Sequence, residues 1–388
     1  MNNGRDHRAP QATRARGFTR RGLLGTMAAT VGAAGFSVGR PAAAAADATA
    51  AQTRAADLTP GTLREYWLSV ESFDHNTVPN GADLMTGTTF TAAQTSYTAL
   101  GYRAWSPNWG ALLPGDDQIG PNTGLPAPTL RAQVGDTVRV HLRNNDTHYR
   151  FPHSIHVHGL RYEPTDDGAF IAGGPYDPAS AILVGGSHTY TYTAVASSVG
   201  TWPYHDHSRS QSLVPPAPQP AAAGDHGEDD APGMAGVAEL GTQLGLAGVI
   251  AVTGPETAPV DVENVLVLID MYHSNIPALA QDLDLFNGAA FLNNTPTFTA
   301  QVGQRVRWRI VALGKELHVF HIHGHRWWDG IRWVDAQVLG PSTSLTIEYI
   351  EDSPGDWLYH CHVTDHMMGG MVGRYHVDPA RPIIPPTG

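Results

Sequence analysis

Cysteine is almost absent: the 388 residues hold one, Cys361, so no disulfide can form within the chain. Charge is scarce as well, at 15% of residues, which argues against a charged helical bundle. Basic residues are fewer still once the amino terminus is set aside. Residues 1–46 hold seven arginines and one acid, and without them the net charge falls from −12 to −18. A surface this acidic is repelled by phosphate backbones, so nucleic acid is excluded as a partner. The one apolar stretch near the amino terminus, Gly25 to Val38, is shorter than the roughly 20 residues that a membrane-spanning helix needs.

What is present points to β-structure. Hydrophobic residues make up 41% of the chain, with 42 Gly and 29 Pro, a turn-rich composition long enough for two domains of roughly 150 residues. Thr19-Arg20-Arg21-Gly22-Leu23-Leu24, the apolar stretch, Pro41 and a run of alanines read as a twin-arginine export signal cleaved near Ala45 to Ala48. That reading implies no membrane anchor after processing, and a destination in the periplasm, the cell wall or the medium.

The rest of the chain is written twice. Pro128 to Leu142 recurs as Pro296 to Ile310, both copies alternating apolar and polar residues around a Val-Gly turn, as half-buried strands do. His153-Ser-Ile-His156-Val-His158-Gly159 recurs as His318-Val-Phe-His321-Ile-His323-Gly324. Gly200-Thr-Trp-Pro-Tyr-His205-Asp206-His207 recurs as Gly355-Asp-Trp-Leu-Tyr-His360-Cys361-His362. The expected fold is all-β, two tandem Greek-key sandwiches or barrels at 60–254 and 260–380. Strands are expected near 129–143, 153–162, 187–195 and 202–206 in the first copy. The composition of 211–239 predicts a mobile loop.

Four His-x-His pairs carry the chemistry: 156/158, 205/207, 321/323 and 360/362. Residues i and i+2 of a strand face one side, so each pair presents two imidazoles together and each copy offers four. Cys361 lies between His360 and His362, with alternation turning its sulfur to the opposite face. With His318, His366 and Met371 it makes the two-His, one-Cys, one-Met set of a blue-copper electron-transfer site. The first copy has Asp206 in the place of Cys361, and at the same offset Gln211 and Pro216 in the places of His366 and Met371. Only His153 persists, at the place of His318, as a relic or surface residue.

These four motifs resemble those of the multicopper oxidases, across essentially the whole chain that follows the export signal, and the length resembles the two-domain small laccases. The resemblance implies cupredoxin-like domains and four coppers per subunit equivalent. The type 1 copper would sit on His318, Cys361, His366 and Met371, and the type 2 copper on His156 and His321. The type 3 pair would sit on His158, His205, His207, His323, His360 and His362. It further implies oxidation of phenols or aromatic amines coupled to reduction of O2 to water, in a homotrimer whose trinuclear sites lie at subunit interfaces.

Oxygen reduction consumes protons, which makes Asp167 and Asp335 candidate relays or simply solvated loop acids. Asp206 is a third candidate, more suited to fixing a ligand histidine. Tyr162, four residues after His158 on the expected strand, is placed beside the cluster in either a redox or a packing role. A Met axial ligand suggests a low-to-middle potential. Two other readings compete: a cuprous-ion oxidase, and a copper buffer fed by the 211–239 loop.

Overall fold

The computed structural model describes residues 61–116, 120–170, 177–208 and 240–380; the expected export signal and the expected loop over 211–239 lie outside the described residues. The first half builds two four-stranded sheets. One has the order Ser96–Trp105, Leu63–Asn76, Thr137–Asn145, Ser187–Thr193, and the other Leu130–Gln133, Ala247–Thr253, Gly200–His205, His156–Val157. The second half repeats the plan with Leu283–Phe286, Val262–Met271, Arg305–Leu313, Thr343–Ile350 in one sheet. Its other sheet runs Thr297–Gln301, Val372–Asp378, Gly355–Cys361, His318–Ile322, Ala336–Leu339. In both halves the repeated motif pairs parallel with the first strand of its own half, Leu63–Asn76 or Val262–Met271. Among the described residues no helix is long and apolar enough to cross a membrane.

Thr137–Asn145 behaves as its alternation predicts, burying Val138, Val140, Leu142 and Asn144. Its duplicate, Arg305–Leu313, is buried from Val306 to Leu313 and is not half-exposed. The cause is the first half, whose apolar core continues into Val265, Val267, Ile269, Val311 and Leu313. Arg307 and Arg309, the outward residues of the duplicate, are buried under that contact. Glu263 answers them, with Arg309 Nε at 2.7 Å, Arg307 Nη1 at 3.4 Å and Arg131 Nη1 of the first half at 2.5 Å.

The expected strand over 153–162 shrinks to His156–Val157. Gly159 ends it: its φ is +73°, and a Cβ there would lie 2.1 Å from the Trp202 indole. Gly324 repeats the device with φ +72° and Trp357. The Gly of each His-x-His-Gly motif is therefore a turn residue that lets an indole close under the second histidine.

Candidate metal centres

Each half gathers its four imidazoles into a square. In the first, the His156 ring lies 5.1 to 5.5 Å from those of His158, His205 and His207, and His158 Nε2 is 3.3 Å from His205 Nε2. In the second, the His321 ring lies 5.2 to 5.5 Å from those of His323, His360 and His362, and His323 Nε2 is 3.1 Å from His360 Nε2. Four rings face backbone carbonyls through Nδ1: His156 to Asp167 at 2.7 Å, His205 to Asp206 at 3.0 Å, His321 to Asp335 at 2.6 Å, His360 to Cys361 at 2.8 Å. An Nδ1–H spent on a carbonyl leaves Nε2 as a bare acceptor, the tautomer a metal requires. Burial opposes the charged form of two of the rings, lowering His158 to about 4 and His205 to about 3. His207 Nδ1 is buried without a hydrogen-bond partner among the described residues.

The third cluster is buried. Cys361 Sγ lies 3.8 Å from His318 Nδ1 and 3.7 Å from His366 Nδ1, and the two nitrogens are 3.2 Å apart. Met371 is fully buried and its carbonyl accepts the Cys361 N–H at 3.0 Å. Burial opposes the thiolate, but hydrogen bonds from His318, His366 and two backbone amides override it, so Cys361 falls to about 6. Two ring nitrogens and a ready thiolate converging in a dry pocket fit a copper ion better than they fit one another.

Acids that the sequence reading passed over stand behind both rings. His366 Nε2 is 2.7 Å from Glu316 Oε2, on a side chain 46% exposed. His318 Nε2 is 3.2 Å from the buried Asp270 Oδ1, poorly oriented for a hydrogen bond. Burial and Asp270 together push Asp284 up to about 7. Glu316 lies 50 residues from His366 and Asp270 48 from His318, so only the fold reveals these pairings.

The candidate acids take unexpected roles. Asp167 and Asp335 each meet a ligand ring through the backbone carbonyl, and the Asp167 carboxylate lies 3.6 Å from His156 Nδ1. The Asp206 carboxylate bonds no ligand histidine; it accepts from Ser154 N and Ser208 N and lies 2.9 Å from His153 Nδ1. His153 is accordingly not a surface residue but wholly buried. Tyr162 does approach His156, with rings 6.2 Å apart, but through the turn and not along a strand. Burial and Asp167 push its phenol up to about 12.

Gln211 and Pro216 lie outside the described residues, and hydrogen bonds name other equivalents. Asp206 N bonds Leu246 O as Cys361 N bonds Met371 O; Leu246 N bonds Gly241 O as Met371 N bonds His366 O. Leu246 and Gly241 therefore hold the places of Met371 and His366. The insertion before Leu240 had displaced them from the constant sequence offset.

Family profiles described as multicopper oxidase match residues 111–215 and 262–381. The chain belongs to the multicopper oxidase family, and its two sandwiches are cupredoxin-like. It is 28% identical over 283 residues to a probable nitrite reductase-hydroxylamine oxidoreductase fusion protein of Kuenenia stuttgartiensis, covering 70% of this chain and 29% of that protein. It is 26% identical to Ferroxidase HEPHL1 of Homo sapiens, covering 82% of this chain and 29% of that protein. The chain thus spans under a third of the length of these relatives. A crystal structure of a multicopper oxidase superposes with a TM-score of 0.57 at 22% identity, over 81% of this chain and 89% of the other. The family uses copper and oxidises small molecules with O2.

Proposed function

We propose that the chain is a laccase-type oxidase that takes single electrons from phenols or aromatic amines and reduces O2 to water. His318, Cys361, His366 and Met371 would hold a type 1 copper, His156 and His321 a type 2 copper, and the six remaining histidines of the squares a type 3 pair. Bound there, copper supplies one-electron transfer at the first site and four-electron reduction of O2 at the others. The observation that carries this reading is the placement of Cys361. Its sulfur faces His318 and His366, while its chain neighbours His360 and His362 belong to a square, so one strand joins both chemistries through covalent bonds. His366 Nε2, beside the half-exposed Glu316, is the outlet through which a donor in solution reaches the pocket. Tyr162 and Asp167 beside His156, with Asp335 meeting His321 through its backbone carbonyl, are the candidate relay groups at the squares.

Each square is half of the proposed cluster, and the sheet order keeps the halves apart. The first half packs on the sheet containing Arg305–Leu313 and Thr343–Ile350, where Thr201 Oγ1 is 2.7 Å from Thr346 Oγ1. His321 and His360 stand on the second half's other sheet, a sandwich thickness of roughly 10 Å away. His323 and His362 are exposed. These facts favour completion of each cluster by a neighbouring copy, in a ring of three. Export by the twin-arginine route belongs to the same proposal.

A second reading, a cuprous or ferrous ion oxidase, draws support from Glu316, whose carboxylate on the outlet histidine suits a cationic donor. Copper-loaded protein would be assayed for O2 uptake with a phenol and with each metal ion, alongside Glu316→Gln. The laccase reading expects the blue thiolate-to-copper absorption and phenol-driven uptake, little changed by the substitution. Uptake confined to the metal ions and lost in Glu316→Gln would transfer the proposal to the second reading.

A further inference from the structure

Among the described residues the first half has no copper-binding set opposite its square, yet it preserves the frame around one. Ser154 N donates to Asp206 Oδ1 at 3.0 Å where Val319 N donates to Cys361 Sγ at 3.4 Å. Nδ1 of His153 faces Asp206 at 2.9 Å, as Nδ1 of His318 faces Cys361 at 3.8 Å. His153 Nε2 lies 3.3 Å from Asp146 Oδ2, as His318 Nε2 lies 3.2 Å from Asp270 Oδ1. What differs is what bridges the side chains behind each square. In the second half that bridge over His318, Cys361 and His366 would be a metal. In the first it is the His153 imidazole, held by polar contacts between the Asp146 and Asp206 carboxylates, all three buried. Gly241 makes this possible: a Cβ in its place would lie 2.2 Å from Asp206 Oδ2, so the bare position admits the carboxylate. Burial works against a charged His153, but Asp206 and Asp146 override it and raise it to about 9.

We propose that Asp146, His153 and Asp206 form a metal-free clamp that positions the first square. In it a buried imidazole bridging two carboxylates does structurally what copper would do in the second half. Asp206 lies between His205 and His207, and Ser154, which it anchors, leads directly into His156. The clamp rests on the copper reading of those histidines. It makes the first square preorganised before any metal arrives, whereas behind the second square the side chains of His318, Cys361 and His366 await the metal that would bridge them.

Hydrogen exchange on the full copper-free chain, before and after copper addition, tests this without any substitution. Segments 153–158 and 203–208 are expected to be equally protected in both states, while 318–323 and 360–371 gain protection with copper. A gain of equal size in both halves would overturn the clamp. Asp206→Asn and His153→Gln provide a second reading. Each is expected to weaken retention of type 2 and type 3 copper by about tenfold or more, judged by copper content and the type 2 resonance. The blue absorption, which belongs to the second half, should persist and report that the variant is folded. Variants that keep their full copper complement would also overturn the clamp. A wild-type chain that takes up no copper would instead sink the copper reading on which it rests.

Discussion

At the scale of single residues, Cys361 and the two motif glycines matter most. The thiol is dry, yet its hydrogen bonds with His318, His366 and two backbone amides lower it to about 6, so it offers a thiolate at neutral pH. Cys361→Ser keeps the volume and discards that softness. The copper-loaded variant should lose its blue absorption and its oxygen uptake, checked by an optical spectrum and an oxygen electrode; persistent blue colour would place the thiolate elsewhere. Gly324→Ala tests the turn. It forces alanine into φ +72° with its Cβ 2.7 Å from the Trp357 ring, and should cost about 1 to 3 kcal/mol in denaturant unfolding. Gly303→Ala, with a positive φ but open space around it, should cost less.

The clustering of the candidate ligands was legible because His-x-His pairs and the Cys, His, Met spacing reflect strand alternation and a local loop. Glu316 and Asp270 were not, since each reaches its histidine across the fold. His153 was misjudged for the same reason: a histidine whose partners are Asp146 and Asp206 shows no local sign that it will be buried between them.

At the scale of elements, identical patterns met different surroundings. The repeat gives Thr137–Asn145 and Arg305–Leu313 the same alternation, and nothing within either reveals that the second is covered on both faces. The covering shows in Glu263, whose carboxyl sits against Arg309, Arg131 and Arg307. Burial opposes its charge, and Arg309 and Arg131 override it, lowering it to about 2 from an ordinary 4.5. A depressed carboxyl stabilises the fold above its ordinary value and loses that contribution as pH falls toward the depressed one. The contribution at neutral pH is on the order of 3 kcal/mol. Thermal stability should therefore decline between pH 4.5 and about 2. Glu263→Gln, which takes the shared carboxylate away from three guanidinium groups, should lower stability at neutral pH by about 3 kcal/mol and flatten the acid decline. Melting curves across that range would show it, and an unchanged acid slope would contradict it.

At the scale of the whole molecule, each chain carries a buried Cys361, His318, His366 pocket but two histidine squares on different sheets, each half of the proposed cluster. The assembly proposed above predicts a split on dilution. Sedimentation of copper-loaded protein should show trimers that, once dissociated, lose type 2 and type 3 copper and oxygen uptake while staying blue. An active, fully loaded monomer would remove the need for a partner copy. The duplication was plain from the sequence, whereas the separation of the squares followed only from which sheet the first half covers.

The most direct test of the account is to reduce the blue, copper-loaded protein with a phenol in the absence of oxygen and then admit a measured amount of O2. The account predicts that the colour bleaches with the donor and returns with oxygen, four donor electrons being consumed per O2 and no peroxide released. Peroxide as the product, or a colour that oxygen does not restore, would contradict it.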